Sequence, residues 1–508
     1  MPGINVLLVS LACIVAFLRP VWGFGIILLT TSTLFHLDQY LTVPLPLGFI
    51  EPMEALLVSM MAAIWLKGWL APQARTTAAP TGVARGIPDA DMWLAIGPYC
   101  LWQTLCIVFT LSHWSGTEHF RLAVRFLISA ILPWTSLYIL RRLPTIAGHK
   151  VFQTAFYLTL LTAVVHITLQ LTDFRAAMQA AYWWIPENTE YNFAYVQQWI
   201  NHEAFVRGLP QGILLILFFA VLKASAFILE RNQRTIRSLS VAVILFSALF
   251  ITVTRSLMAC LAAGLLILLG LAAFTVRLRM SHIIRITGLL AVFVGAALLY
   301  NGLRPGFFDF WSARMVRLSG VDSDIFSEDN EARGRDNLAA MAAIADNPVF
   351  GLGTPRYPDE YSLRSGPPTD THPLLEIGLV GGIPAILLIL SLQVCLFLPA
   401  LRKASRNASA ARELVPFVAI LMMSAFAVNM IGGGGTIIGP PILFVTIFAS
   451  EMWYQNSRIQ VIEVYRIRKE KNGTARYATH FRPDAIVQPG AIYRTDHHIS
   501  TPAGVPKR

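Results

Sequence analysis

Side chains suited to holding phosphate groups are concentrated in one polar segment, residues 304–372, of an otherwise apolar chain. The segment contains seven arginines and no lysine, and it ends at His372. A guanidinium group is planar, keeps its charge at any working pH and contacts phosphate oxygens at two points. These residue types therefore indicate a phosphate-bearing substrate that is bound at a membrane surface.

Arg335 is the first candidate within this segment. It belongs to the run Gly-Arg-Asp-Asn-Leu at 334–338, and strong helix formers predict a short helix over 337–345 that the following Asn-Pro pair ends. We expect Arg335 to lie at the first turn of this helix, where its side chain can point outward toward a ligand.

Two further residues stand at predicted membrane boundaries. His372 directly precedes an apolar segment and can exchange a proton near neutral pH, although a boundary histidine can also serve only as a structural hydrogen-bonding group. Arg255 interrupts the apolar stretch 241–276, where a charge is costly unless it has a role. The structural alternative for Arg255 is a turn residue that snorkels to water.

The turn Asn-Pro-Val-Phe-Gly-Leu-Gly at 347–353 is the third feature of the segment. Gly351 and Gly353 permit backbone conformations that other residues avoid, so the chain can turn tightly or approach a ligand closely. A turn that binds no ligand explains the glycines equally well.

Composition places these residues in a membrane protein. The chain has 508 residues, of which 55% are hydrophobic and 14% are charged, and its mean hydropathy is +0.57. The sequence predicts an all-α integral membrane protein with about 12–13 transmembrane helices and a mostly helical outer cap. The predicted spans are 4–18, 21–37, 49–71, 92–112, 121–141, 151–173, 212–229, 238–254, 256–276, 286–303, 373–400, 414–431 and 435–453.

Lysine and arginine counts in the short connections predict the orientation. Basic residues cluster around 141–150, 231–237, 277–285 and 402–412, which places these four connections in the cytoplasm. Alternation then puts 304–372 outside, together with the turn that holds Arg255. The side of the N-terminus stays open, because the first two apolar segments are short enough to form one broken pass.

These boundaries divide the chain into four parts. Transmembrane helices occupy 1–303, the large periplasmic loop with the candidate site is 304–372, further transmembrane helices occupy 373–453, and 454–508 is a basic cytoplasmic tail. The tail contains ten Lys and Arg against four Asp and Glu, which indicates affinity for anionic membrane lipids and not for nucleic acid.

No metal or cofactor site is predicted. The five cysteines all fall in apolar spans without a CxxC pair. Asp322-Ser323-Asp324 has the form of a metal-binding pair of carboxylates, but the nucleotide sugars that such pairs hold are cytoplasmic, and we interpret this stretch as solvated.

The order of these motifs resembles the O-antigen ligase and O-antigen polymerase family of polytopic membrane glycosyltransferases. The resemblance covers about 238–400: an arginine at an outer helical turn, Gly-Arg-x-x-Leu, Asn-Pro-x-x-Gly-x-Gly, and a histidine that leads into Glu376-x-Gly378-x-x-Gly381. The fold implied is similar to that of the metal-independent, inverting integral-membrane glycosyltransferases of the C type.

What the resemblance implies is transfer of a glycan from a polyprenyl diphosphate carrier to an acceptor hydroxyl, on the periplasmic face of the bacterial inner membrane. The acceptor would be lipid A core or another glycan. Arg255 and Arg335 would hold the diphosphate, and His372 would act as the general base or would itself orient the diphosphate. Arg333, Gly351, Gly353 and Glu376 would complete substrate binding.

Other functions stay open at this point. A flippase for lipid-linked sugars would spread charges over several spans and show paired repeats, and neither feature is visible here. A protein O-oligosaccharyltransferase, a ligase and a polymerase differ in the acceptor, which one sequence does not reveal. A non-catalytic scaffold would leave Arg255 without a role.

Overall fold

The computed structural model describes residues 2–31, 41, 43–45, 48–50, 52–70, 89–110, 135–136, 138–140, 142–143, 145–172, 212–229, 235–252, 254–276, 279–316, 334, 337–353, 373–430, 447–449, 451–452 and 454–455. Its helices are α1 (Pro2–Leu18), α2 (Pro20–Thr31), α3 (Pro52–Leu70), α4 (Asp89–Thr110), α5 (Thr145–Leu171), α6 (Ile213–Leu229), α7 (Thr235–Ile251), α8 (Arg255–Thr275), α9 (Met280–Leu303), α10 (Phe307–Val316), α11 (Asn337–Asp346), α12 (Pro373–Arg406) and α13 (Ala408–Met430).

The predicted all-α membrane architecture is confirmed. Predicted spans are helical over most of their described residues, although positions 49–50 of the span 49–71 form part of a strand, while 121–141 and 435–453 fall largely outside the described residues. The structure adds a two-stranded antiparallel hairpin of β1 (Val43–Leu45) and β2 (Gly48–Ile50), in which Val43 pairs with Ile50. Arg19 separates α1 from α2, so the first two apolar segments are distinct helices.

Several helices meet the requirements for crossing a bilayer. Within the described residues, four are long and apolar enough by length and composition: Ile146–Leu171, Ser256–Thr275, Met280–Leu303 and Leu374–Arg406. Shorter apolar helices accompany them. The chain is therefore a multi-pass membrane protein, whereas the number of passes, their orientation and the four-part division stay predictions.

Helix α6 lies at the centre of the bundle. Nearly all its side chains are buried, and α5, α7, α8, α9 and α13 pack around it. Small residues bring these helices close together: a Cβ at Gly264 of α8 would overlap the side chain of Met423 in α13 and lie 3.1 Å from Val221 of α6. Close backbone approach at such residues is a main source of helix association in lipid.

The two ends of the bundle have different polar groups. At one end, Val276 after α8 and Arg412 of α13 line a common cavity. At the other end, Arg304 after α9 donates from Nε (3.0 Å) and Nη2 (2.7 Å) to the carbonyl of Gln170 in α5. We refer to these as the Arg412 end and the Arg304 end. Since α8 ends and α13 begins at the Arg412 end, α8 and α12 begin toward the Arg304 end.

Helix α10 covers part of the Arg304 end. Its Phe307 is 1% exposed and packs edge-on against Phe250 of α7 (5.5 Å between ring centroids) and Tyr300 of α9 (4.6 Å). The first part of segment 304–372 is therefore a helix held on the bundle by aromatic side chains, which confirms that this segment is partly helical.

Candidate functional site

Of the three residues predicted to be catalytic, Arg255 has a described backbone and lies at a helix N-terminus. Arg255 is the first residue of α8, after an N-cap at Thr254 with extended backbone (φ −103°, ψ 110°). In the sequence, His372 directly precedes α12, whereas Arg335 stands between Gly334, which is helical, and Asn337, where the described part of α11 begins. A helix N-terminus carries unpaired N–H groups and about half a positive charge, so the starts of α8 and α12 favour an anion.

Most of these side chains lie outside the described residues. This applies to Arg335, Arg333 and His372, and Arg255 is described for its backbone alone. Their roles therefore stay predictions, and the geometry below concerns the elements that carry them.

Helix α11 confirms the predicted helix over 337–345 and packs against the first half of α12. Ala340, Ala343 and Ile344 form a buried cluster with Leu379 of α12. Ala339, near the start of α11, and Leu375, near the start of α12, pack against the same cluster. The described residues that follow Arg335 and His372 in the sequence therefore belong to one small packed unit.

Helix α12 is broken at Gly381 and Gly382, a feature that the prediction of an uninterrupted span did not include. Gly381 has φ −134° and ψ 16°, and Gly382 has φ 67° and ψ −169°. The signal was present in the sequence as two adjacent glycines followed by Pro384. Because proline lacks an N–H and glycine permits positive φ, this combination favours a break inside an apolar helix.

The turn at 347–353 docks into this break. The N–H of Ile383 donates to the carbonyl of Pro348 at 2.8 Å, and the N–H of Leu352 donates to the carbonyl of Leu379 at 2.5 Å. A broken helix inside a membrane must find partners for the backbone groups that it frees. Here the turn supplies one acceptor and one donor.

Two glycines with positive φ make this contact possible. Gly351 has φ +62°, and a Cβ there would lie 2.5 Å from the carbonyl oxygen of Leu379 and 2.7 Å from that of Gly378. A Cβ at Gly382 would likewise overlap the carbonyls of Pro348 and Val349. In the described contacts Gly351 therefore faces protein backbone, which fits the interpretation that this glycine shapes a turn. Its part in substrate binding stays a prediction.

Gly353 and Glu376 lie beside the same junction. Gly353 is buried and has φ +67°. Glu376 is 6% exposed in the first turn of α12, where the helix N-terminus stabilises a carboxylate. Both positions suit a structural or a ligand-binding role close to the start of α12.

Sequence reasoning missed the aromatic side chains that fix the turn from α4. The indole N–H of Trp102 donates to the carbonyl of Gly381 at 2.7 Å, which satisfies a further group at the break. Phe350 stacks on Trp102 (5.6 Å between centroids) and on Phe109 (5.1 Å). A tryptophan in a span is too common to identify its partner, so the sequence offered no specific signal.

Comparison with known protein families identifies the segment that contains this site. Residues 240–390 match the family model described as O-Antigen ligase. The matched segment begins in α7 and ends just beyond the break in α12. No curated protein matches the chain significantly. The family match confirms the predicted resemblance and supports glycan transfer of the O-antigen ligase type in general terms.

Proposed function

Because residues 240–390 match the O-Antigen ligase family, we propose that this protein transfers a glycan from a polyprenyl diphosphate carrier to an acceptor hydroxyl at the Arg304 end of its helix bundle. The observation that carries the proposal is a pair of helix N-termini within the matched segment: α8 begins at Arg255, and α12 begins at Pro373, which follows His372 in the sequence. The partial positive charges of these two N-termini, together with the guanidinium groups of Arg255 and Arg335, favour a diphosphate.

Positive charge in the site matters most while the bond between the sugar and the diphosphate breaks. The acceptor oxygen forms a bond to the anomeric carbon while the bond from that carbon to the diphosphate oxygen breaks, so negative charge grows on the leaving diphosphate. Cations held in a fixed arrangement lower the barrier most at this point. We assign Arg255 and Arg335 to the diphosphate, with Arg333 as a further contact.

His372 is the proposed general base. The attacking hydroxyl loses its proton as the new bond forms, and a histidine imidazole can accept it near neutral pH. Attack opposite the leaving group inverts the anomeric centre. Since the arginines supply the positive charge, we propose that the reaction requires no metal ion and no cofactor.

The docked turn supports this arrangement by joining α11 to α12. The first turn of α12, with Glu376, and the described part of α11 belong to one packed unit that includes the turn with Gly351 and Gly353. A preorganised site needs such rigidity because displacement of a catalytic group by about 1 Å can reduce the rate about a hundredfold. We propose that these residues border the bound substrate.

The setting of the reaction is also part of the proposal. Basic residues concentrate in connections at the Arg412 end, so we propose that this end faces the cytoplasm and that the Arg304 end faces the periplasm of a bacterial inner membrane. The acceptor would be lipid A core, a growing lipid-linked glycan or a protein hydroxyl.

A transfer assay tests the proposal. The full-length protein in detergent is mixed with a polyprenyl-diphosphate oligosaccharide, EDTA and different acceptors, and release of the carrier diphosphate is measured. We expect acceptor-dependent release that persists in EDTA, falls by about two to three orders of magnitude in Arg335→Ala and remains in Arg364→Ala, a matched arginine of the same loop. Movement of the donor between liposome leaflets without release would instead identify a flippase and refute the proposed transfer.

A further inference from the structure

The Arg412 end contains a cavity that glycan transfer does not use. Among the described residues its lining consists of Arg279, Arg285, Arg412, His282, Ser281, Leu229 and Val276. We call it the basic cavity. It encloses about 370 Å³ including its open mouth. No acidic side chain is among these lining residues, so the positive charge is not neutralised from within the described wall.

Three separate parts of the chain converge on the basic cavity. Leu229 ends α6, Arg279 and Ser281 stand at the start of α9, and Arg412 belongs to the second turn of α13. The starts of α9 and α13 add the partial positive charge of two helix N-termini. Such a concentration of like charge in a concave site is unfavourable unless an anion offsets it.

Arg285 has a structural role in the wall. Its Nη1 donates to the carbonyls of Phe227 (3.2 Å) and Ile228 (3.3 Å), which are among the last backbone acceptors of α6. A cation at a helix C-terminus stabilises the helix in this way. Arg285 therefore holds α9 against α6 and shapes the cavity.

Arg412 and His282 provide donors for a ligand. The Nε atom of Arg412 is buried and meets no acceptor among the described residues. The backbone N–H of Arg279 donates to Nδ1 of His282 at 2.8 Å, so in the neutral ring the proton is on Nε2. Nε2 of His282 can then donate to an anion, as can the guanidinium group of Arg279.

The exposed apolar side chains beside the basic cavity favour a lipid over a soluble anion as its ligand. The first turns of α9 expose Met280 (72%), Ile283 (51%) and Ile284 (65%) beside the basic residues. These side chains belong to a helix that is long and apolar enough to span the bilayer. Basic groups next to exposed apolar groups at a membrane boundary fit an anionic headgroup together with its acyl chains.

We infer that the basic cavity binds the phosphate of an anionic phospholipid in the leaflet at the Arg412 end, with Arg279 and Arg412 contacting the phosphate and the exposed side chains of α9 contacting the acyl chains. The site is remote from the proposed catalytic end. It is therefore independent of the proposed function, and its test does not measure glycan transfer.

The experiment compares lipid binding by the full-length protein in nanodiscs of phosphatidylcholine with and without phosphatidylglycerol. Native mass spectrometry counts the retained lipid, and a titration gives the affinity. Arg412→Gln and Arg279→Gln each remove one charge-assisted hydrogen bond, so we expect the affinity for phosphatidylglycerol to fall about tenfold. Arg237→Gln removes an equal charge from an exposed position at the start of α7 and should leave the affinity unchanged.

Two results would overturn the inference. Equal, small losses in all three variants would mean that general surface charge attracts the lipid and that the basic cavity has no special role. If sodium diphosphate displaces phosphatidylglycerol and binds equally well in pure phosphatidylcholine, the basic cavity takes a soluble anion and not a lipid. The two variants lie in different parts of the chain, at the N-cap of α9 and within α13, which keeps the test decisive if one of them does not fold.

Discussion

The backbone N–H of Ile383 donates to the carbonyl of Pro348 at 2.8 Å, which joins the second half of a broken membrane helix to a turn in the polar segment before it. Such a bond can form only because Gly382 leaves the helical conformation at this point. The turn and the break are therefore one structural unit, and a change on either side should disturb the other.

Gly351→Ala tests this unit directly. The new methyl group would meet the carbonyl oxygens of Leu379 and Gly378 at 2.5 and 2.7 Å in a backbone conformation that already disfavours alanine. We expect a loss of at least about 2 kcal/mol in stability, because neither carbonyl can move without distorting α12. Thermal unfolding of the purified protein in detergent measures the change.

Gly306→Ala is the matched control for that substitution. Gly306 also has positive φ (+87°), but a Cβ there would meet nothing within 4 Å. Its cost should be limited to backbone strain of about 1 kcal/mol. Equal midpoints for the two variants would contradict the tight contact between the turn and α12.

Trp102→Phe separates the hydrogen bond at the break from the aromatic stack. Phenylalanine can still stack on Phe350, but the carbonyl of Gly381 loses its indole donor, at a cost of about 1 kcal/mol or more. Trp102→Leu should lose about 1 kcal/mol further because it removes the stack as well.

The same thermal assay measures both changes at Trp102. Trp65→Phe is the control, since Trp65 is 76% exposed on α3 and should tolerate the change with little effect. If Trp102→Phe has the same unfolding midpoint as the wild-type protein, the indole bond contributes nothing to the fold.

Hydropathy predicted most of the helices because a membrane span is a run of about twenty consecutive, mostly apolar residues. The helix at 337–345 was predicted for a similarly local reason: helix formers precede Asn347 and Pro348. The contact between Trp102 and Gly381 depends instead on two residues far apart in the chain. Short-range patterns carry no information about such a pair.

The candidate site was likewise predictable from local sequence only in part. Gly351 and Gly353 stood out by residue type, and the structure gives them the positive φ that glycine tolerates best. The residue type did not reveal that Gly351 faces the backbone of α12, because its partner Gly382 lies beyond the polar segment. The resemblance over about 238–400 was recognised from motif order, which a sequence retains without any knowledge of contacts, and the family match covers 240–390 of it.

Arg304 should stabilise the end of the bundle that holds the proposed site. Besides the two bonds to Gln170, its Nη2 donates to the carbonyl of Thr172 at 3.2 Å. These carbonyls lack helical partners at the end of α5, so Arg304→Gln should cost about 2 kcal/mol. Arg304→Lys should cost less because it keeps the charge but loses the planar arrangement of donors.

Unfolding midpoints of the two Arg304 variants measure this contribution. Arg402→Gln, at an exposed position near the end of α12, removes the same charge and should have little effect. A loss of stability in Arg402→Gln as large as that in Arg304→Gln would attribute the effect to net charge and not to the bonds with α5.

Kinetics of Arg335 and His372 variants should separate the two proposed roles. If His372 accepts the proton of the acceptor, His372→Gln should lower kcat by about two to four orders of magnitude and leave the KM for the donor nearly unchanged. Arg335→Ala should lower kcat/KM by two to three orders of magnitude, roughly what one preorganised donor contributes, and Arg335→Lys should recover part of that loss because it restores the charge.

The opposite effect on kcat and KM would give His372 a different role. A raised KM for the donor with kcat retained in His372→Gln would mean that His372 holds the diphosphate and that another group accepts the proton. Arg364→Ala, in the same loop but outside every motif, should keep both constants. Membrane levels of each variant must match the wild-type level, since a failure of insertion would reduce kcat for all substrates alike and leave KM unchanged.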